Sequence, residues 1–202
     1  MIPALLDKER KEALDLYVSL IRKWQPAINL VGPSTMGDIW GRHIEDSLAL
    51  LPYLPQDAGA HVVDLGSGGG FPALVLAICR SDLSFSLIES DERKCVFLSL
   101  VSRETNCENV AVLNGRVESV LSQVAPVSCL TARALAGLDA LLGMALLAPQ
   151  APSFFALFQK GRRAAEEVDV ARARYGFDLD VLGASSEADS SILRVSNIAV
   201  RA

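Results

Sequence analysis

The amino-terminal quarter of the chain has the apolar spacing of amphipathic helices. Large apolar residues recur about every three or four positions between residues 4 and 23, and Pro26 ends this run. A second helical pattern covers residues 35–54 and gives way to turn residues that end at Gly59. We therefore predict a helical extension over residues 1–59, followed by a second, compact domain over residues 60–202.

From His61 onward the pattern changes to short β-rich runs that alternate with helical ones. Strands are predicted at residues 61–66, 84–90, 109–115, 127–134, 153–161, 178–184 and 191–200. Helices are predicted between them at residues 73–80, 92–104, 117–124, 137–148 and 162–176. Five such alternations predict an α/β fold, a doubly wound, Rossmann-like and mostly parallel sheet with helices on both faces. Only "ASSEADS" separates the last two strands, which should form an antiparallel carboxy-terminal hairpin.

Composition and charge limit the kind of protein this can be. The chain has 202 residues, half of them apolar, yet no run approaches the roughly 18 apolar residues of a membrane span. Its first residues lack the order of a signal peptide, so we expect a soluble, cytoplasmic protein that does not contact membranes. A net charge of −5 argues against a broad, nonspecific binder of polyanions and leaves room for a local basic face.

The positive residues do occur in groups, of which "KGRR" at 160–163 is the densest. Taken alone, such groups are more often solvated helix faces than binding sites. The four cysteines include no C-x-x-C pair, and the chain has only two histidines, His43 and His61. Reduced thiols packed in or near the core are therefore favoured over a zinc site or a disulfide framework, and we predict no metal.

The stretch "HVVDLGSGGGFP" at 61–72 joins the first predicted strand to a helix that Pro72 opens. Such a turn either holds a ligand against glycine backbone or only reverses the chain. Phe71 occupies the place where a dinucleotide fingerprint needs a small residue, and the G-K-[ST] of a triphosphate loop is absent. Glu89 ends the second strand, where a carboxylate accepts hydrogen bonds from ribose hydroxyls. Together these features favour S-adenosylmethionine as the cofactor.

These motifs resemble the class I methyltransferases and, more narrowly, the RsmG family, also called GidB. The resemblance rests on "NLVGPSTMGDIWGRHIEDSLAL", "VVDLGSGGGFPALVLAI", "NGRVESV", "TARAL" and "FALFQKGR", in unbroken order over roughly residues 20–165. Beyond "KGRR" the similarity is loose. It implies methylation of guanine N7 in the decoding region of bacterial 16S ribosomal RNA, with S-adenosylhomocysteine as the second product. Guanine N7 has a lone pair and no proton, so we predict no catalytic base and a reaction that depends on alignment.

The resemblance also implies the cofactor site, to which we add the neighbouring turn residues and Glu89. The predicted cofactor residues are Gly66, Ser67, Gly68, Phe71, Glu89, Val117, Glu118 and Arg133. Three of them each have an alternative interpretation. In these alternatives, Phe71 caps the core, Glu118 serves only as the acidic residue of a first helical turn, and Arg133 pairs with Asp64 or a helix end. For Asp64 we predict a structural role, accepting backbone N–H groups of the turn.

Substrate contacts are predicted at two basic positions of the chain. Lys160, Arg162 and Arg163 follow the fifth strand, and Arg42 with His43 lies in the extension. His43 and Asp46 are three residues apart on one predicted helix, so a structural His43–Asp46 bond competes with substrate contact. The expected partner is 16S ribosomal RNA or the small ribosomal subunit, and a monomer is expected. A methyltransferase acting on a small molecule or protein, and a binding module without turnover, remain as alternatives.

Overall fold

The structure is a computed structural model that describes residues 6–183 and 190–201. Helix α1 spans Lys8–Trp24, and its N-cap residue Asp7 accepts a hydrogen bond from the main-chain N–H of Arg10. One face of α1 is buried, with Leu14, Tyr17 and Ile21 fully inaccessible to solvent. The amphipathic pattern therefore predicted this helix correctly, apart from its first residues: residues 4 and 5 lie outside the described part of the chain.

The second helical segment is not the continuous α-helix that its pattern predicted. It consists of a 3₁₀-helix at Pro33–Asp38, a π-helix at Trp40–Glu45, the short α2 at Asp46–Leu48 and a 3₁₀-helix at Leu51–Tyr53. The side chain of Asp38 accepts the N–H of Gly41, a local bond that competes with regular helix geometry. π-Helical turns such as that at Trp40–Glu45 are wider than α-helical turns, are rare, and often occur at functional sites.

A single seven-stranded sheet forms the centre of the described structure. Its strands are β1 His61–Leu65, β2 Ser84–Glu89, β3 Val110–Asn114, β4 Val127–Arg133, β5 Gln150–Lys160, β6 Tyr175–Leu182 and β7 Ser191–Val200. They lie in the order β3-β2-β1-β4-β5-β7-β6. The first five are parallel, and β7 pairs antiparallel with both β5 and β6. The predicted fold class and the terminal hairpin are confirmed, although β5 and β6 each begin three residues earlier than predicted; Ala184 lies outside the described residues.

Helices cover both faces of this sheet. They are α3 Ala73–Cys79, α4 Glu92–Glu104, α5 Val117–Val120, α6 Leu138–Ala145 and α7 Ala164–Arg172. Successive strand residues alternate between two buried clusters, with Val62 in one and Val63 in the other. Helix α1 packs in the first cluster together with α3 and α4. The extension thus shares a core with one face of the sheet.

All four cysteines are buried and free, as predicted: Cys79, Cys95, Cys107 and Cys129. Burial raises the pKa of the Cys79 thiol to about 11. Within residues 6–183 and 190–201, no helix has both the length and the apolar character required to cross a membrane.

Candidate active site

A cleft of about 490 Å³ opens at the carboxyl ends of the parallel strands β1 to β4. In doubly wound sheets this edge is where ligands bind. One part of its lining comes from residues at or shortly beyond the ends of these strands, and we call it the sheet wall: Gly66, Ser67, Gly68, Gly69, Phe71, Glu89, Val117, Glu118 and Arg133. Another part comes from the extension, and we call it the extension wall: Leu30, Val31, Gly32 and His43. All eight predicted cofactor residues line this one cleft.

The glycine turn has a backbone that other residues rarely adopt. Gly66, Gly68 and Gly70 have φ values of +64°, +56° and +100°. A Cβ at Gly66 would lie 2.5 Å from Cδ1 of Leu135, which also lines the cleft. The glycine at position 66 is therefore required by its conformation, and a larger residue there would also displace the tip of the Leu135 side chain.

Glu89 fixes the turn from inside the protein. It is 7% exposed, and one carboxylate oxygen accepts the N–H of Gly68 at 2.8 Å while the other accepts the N–H of Asp91 at 2.8 Å. Hydrogen bonds between a charged acceptor and main-chain donors are among the stronger ones in proteins. Glu89 therefore joins the end of β2 to the glycine turn, a structural role that we had predicted for Asp64.

The prediction that Asp64 accepts backbone N–H groups was wrong. Asp64 lies within β1, is 1% exposed, and accepts a hydrogen bond at Oδ1 from the Thr131 hydroxyl at 2.6 Å on the neighbouring strand. Its other carboxyl oxygen has no hydrogen-bond partner within the described residues. Burial raises the pKa of Asp64 to about 7, against the lowering effect of the Thr131 bond. Asp64 thus connects β1 to Thr131, its neighbour on β4.

Phe71 combines the two roles between which its sequence position could not decide. It lines the cleft, yet it is only 5% exposed and stacks against Tyr17 of α1 with ring centroids 5.2 Å apart. It also stacks against His43 at 4.8 Å, and the guanidinium of Arg133 lies 5.0 Å from its ring centroid. Phe71 thus connects the sheet wall, the extension wall and the core.

Arg133 links the end of β4 to the extension. One of its terminal nitrogens donates to the main-chain carbonyl of Arg42 at 3.2 Å, and the other donates to Nδ1 of His43 at 2.6 Å. Burial lowers the pKa of the guanidinium, and the nearby Asp46 partly offsets this effect. These contacts differ from the pairing with Asp64 or a helix end that we had considered.

The bond to Arg133 determines the state of His43. Because arginine only donates, Nδ1 must accept, which leaves the proton on Nε2 for the bond to the Thr35 hydroxyl at 2.8 Å. Burial, with the positive charges of Arg133 and Arg42, lowers the pKa of His43 to about 4. Both ring nitrogens bond to residues other than Asp46, so the His43–Asp46 bond that we had considered does not form in this structure. His43 lies in the cleft as a neutral ring.

The remaining predicted cofactor residues follow β3. Val117 and Glu118 form the first turn of α5, where Val117 is 7% exposed and Glu118 is open to solvent. An apolar surface and a carboxylate therefore stand side by side at this end of the cleft.

The predicted RNA-contacting cations differ in their surroundings. Lys160 is 8% exposed, and its amine donates to the carbonyl of Ala136 and forms an ion pair of 2.8 Å with Glu167. A buried internal ion pair thus occupies the charge of Lys160, which argues against its predicted contact with phosphate. Arg162 and Arg163 just beyond it, and Arg42 in the extension, are exposed.

Most of the extension wall was missed in the sequence. The side chain of Gln25 accepts the N–H groups of Leu30 and Val31 and donates to the carbonyl of Val31, which fixes this loop beside the glycine turn. The loop coincides with "NLVG", the start of the first motif that carried the family resemblance. That motif marked the loop as part of the family resemblance, although nothing in its apolar pattern indicated contact with the cleft.

Comparison with solved structures shows the same fold in proteins of low sequence identity. Fibrillarin from Aeropyrum pernix, solved with S-adenosyl-L-methionine, superposes with a TM-score of 0.59 at 16% identity, covering 76% of each chain. Precorrin-6y C5,15-methyltransferase from Geobacter metallireducens gives a TM-score of 0.56 at 9% identity, covering 83% of this chain and 90% of that one.

Sequence relatives are much closer. Ribosomal RNA small subunit methyltransferase G from Acidiphilium cryptum is 42% identical over 200 residues, which cover 98% of this chain and 89% of the relative. The protein of the same name from Paramagnetospirillum magneticum is 48% identical over 166 residues, covering 81% and 77%. The family model described as rRNA small subunit methyltransferase G matches residues 10–188. The chain therefore belongs to the GidB family.

Proposed function

We propose that this protein transfers a methyl group from S-adenosylmethionine to N7 of a guanine in the decoding region of bacterial 16S ribosomal RNA. The observation that carries the proposal is the meeting of all eight predicted cofactor residues in one cleft at the carboxyl edge of the sheet, in a chain of the GidB family. The geometry supplies the place for the cofactor, and the family supplies the substrate.

The residues of the cleft fit this cofactor. The volume of about 490 Å³ falls within the range of about 300 to 1,000 Å³ that is usual for small-molecule sites. In our proposal Val117 packs against the adenine, Glu118 accepts from its amino group, and Glu89 accepts from the ribose hydroxyls. Each Glu89 oxygen already accepts one main-chain N–H, and a carboxylate oxygen has two acceptor positions, so this use is compatible with the observed bonds.

When bound, the cofactor supplies an electrophilic methyl group on a sulfonium. The protein then has to hold guanine N7 in line with that methyl group, and it has no proton to remove, because N7 is an unprotonated acceptor. Rigid placement contributes most in such a reaction. The neutral His43 ring, stacked on Phe71 and held by Arg133, gives the cleft a fixed flat surface that carries no charge of its own.

The substrate itself is proposed to approach from the side of the exposed arginines. Arg162 and Arg163 follow β5 at the same edge of the sheet as the cleft, and contacts from such side chains to phosphates position RNA without reading its bases. We further propose that the protein works as a monomer in the bacterial cytoplasm, where its ribosomal substrate is made.

Methylation assays test the proposal directly. Purified protein is incubated with labelled S-adenosylmethionine and either naked 16S RNA or small ribosomal subunits, and mass spectrometry maps the modified nucleotide. We expect one 7-methylguanosine in the decoding region. Methylation of proteins or small molecules instead, or cofactor binding without transfer to either RNA substrate, would support one of the two alternative classes.

A further inference from the structure

We infer that Tyr17, in the helical extension, is a positioning residue that holds the glycine turn ready for the cofactor. The inference rests on the proposed function, since it concerns the same cleft. Tyr17 lies on the buried face of α1 and is fully inaccessible to solvent. A buried phenol has to find a hydrogen-bond partner within the protein.

The partner of the Tyr17 hydroxyl is part of the cleft. The hydroxyl donates to the main-chain carbonyl of Gly69 at 2.5 Å, and Gly69 lines the cleft. Burial raises the pKa of Tyr17 well above its usual value, so the hydroxyl keeps its proton at any working pH. The extension therefore bonds directly to the turn, across 52 positions of the chain.

The extension lies close to two glycines of the turn. A Cβ at Gly70 would lie 2.5 Å from the Tyr17 hydroxyl oxygen, and one at Gly69 would lie 2.7 Å from the carbonyl oxygen of Leu30. Two of the glycines thus make room for the extension, which is a different use of glycine from contact with a ligand. The ring of Tyr17 also stacks on Phe71, which follows the turn.

Two neighbouring residues of the turn are consequently held from two directions. Glu89 accepts the N–H of Gly68 from the β2 side, and Tyr17 donates to the carbonyl of Gly69 from the α1 side. Without the second bond, the free turn would sample further conformations that the cofactor must exclude when it binds. Preorganisation of this kind affects affinity without any contact between the residue and the ligand.

The test is Tyr17→Phe, which keeps the ring and removes the hydroxyl, with Tyr175→Phe in β6 as a matched buried control. We expect the Kd for S-adenosylmethionine to rise about three- to tenfold, the range for loss of one hydrogen bond. The rate at saturating cofactor should remain close to that of the wild type. Hydrogen exchange in the free protein should increase in the segment 65–72 and stay unchanged in β6.

Different failures separate the two proposals. Wild-type protein that does not bind the cofactor contradicts the proposed function. Wild-type affinity in Tyr17→Phe, with unchanged exchange in the segment 65–72, overturns the role of Tyr17 alone. Faster exchange throughout the variant, β6 included, would also overturn it, because Tyr17 would then only stabilise the fold.

Discussion

The two walls of the cleft are built in different ways. The sheet wall consists of residues at or shortly beyond the carboxyl ends of parallel strands, so the strand order alone brings Gly66, Glu89 and Val117 together. The extension wall is joined to the sheet wall by single long-range contacts, such as that of Arg133 with His43, which are 90 positions apart. Topology thus specifies the sheet wall of the cleft, whereas the place of the extension wall beside it depends on particular side chains that bridge separate segments.

The strongest way to break the sheet wall is Gly66→Val. A β-branched residue at a φ of +64° is strained by about 1–3 kcal/mol, and its Cβ would overlap Leu135. We expect the affinity for S-adenosylmethionine to fall at least about 100-fold, given that about 1.4 kcal/mol corresponds to tenfold. Calorimetry measures the affinity, and circular dichroism checks that the protein is folded.

Gly176→Val is the control for that experiment. Gly176 lies in β6, and apart from its chain neighbours no heavy atom of residues 6–183 and 190–201 is within 4 Å of the position of its Cβ. Cofactor affinity should therefore be unchanged in this variant. Normal binding by a folded Gly66→Val protein would show that the glycine turn does not hold the cofactor.

Glu89→Gln tests the second part of the sheet wall. An amide can accept with only one of its two terminal atoms, so its nitrogen would face the N–H of either Gly68 or Asp91. We expect the Kd for the cofactor to rise about tenfold or more, since a hydrogen bond to a charged group contributes about 1.5–3 kcal/mol. Titration of both proteins with S-adenosylhomocysteine gives the ratio. The exposed Glu92→Gln serves as control, and an unchanged Kd for Glu89→Gln would place the ribose contact elsewhere.

The same difference between the walls explains what the sequence could reveal. Alternating strands and helices predicted the sheet, and the position of Glu89 at the end of β2 predicted its place in the cleft, because both follow from local pattern and topology. Lys160 had the same kind of position, yet Glu167, seven residues later, forms an ion pair with its amine. Neither that pair nor the Tyr17–Gly69 bond has a periodic signal, since each depends on the packing of separate segments. The π-helix at Trp40–Glu45 was also missed, because its apolar spacing resembles that of an ordinary helix.

Asp64 allows the sheet to be probed by pH. Its pKa is raised from 3.8 to about 7 in the folded protein, so the folded state retains a proton that the unfolded state loses. The stabilising contribution is complete below about pH 4 and is lost as pH rises towards 7, on the order of 1 kcal/mol per pH unit. Asp64→Asn, which does not titrate, should therefore gain stability relative to the wild type between pH 5 and pH 7 and level off above that.

Urea unfolding of both proteins at pH 5, 6, 7 and 8 measures this difference. Asp82→Asn is the control, because the bond to Arg80 lowers the pKa of that exposed carboxylate and moves its titration below the tested range. A difference between Asp64→Asn and the wild type that does not vary with pH would mean that Asp64 is already ionised in the folded protein.

The smallest expected effect concerns which region receives the RNA. Arg162 and Arg163 lie beyond β5 on the sheet side, whereas Arg42 belongs to the extension, and all three are exposed. Replacing Arg162 and Arg163 with alanine should weaken RNA binding and flatten its salt dependence by about one unit of slope per lost phosphate contact. Cofactor affinity should stay unchanged, because neither side chain belongs to the sheet wall. RNA binding is measured between 50 and 200 mM salt, a range wide enough for the slope to reveal the loss of about one phosphate contact.

Two further variants show which region is responsible. Arg22→Ala with Lys23→Ala removes a basic pair of similar exposure at the end of α1 and should leave the slope unchanged. Arg42→Ala tests the extension beside the cleft, where the carbonyl of Arg42 already accepts from Arg133. If the slope flattens in Arg42→Ala and remains normal in the Arg162 and Arg163 double variant, the phosphate contacts belong to the extension. The extension would then both shape the cleft and receive the substrate, while the sheet side would serve the cofactor alone.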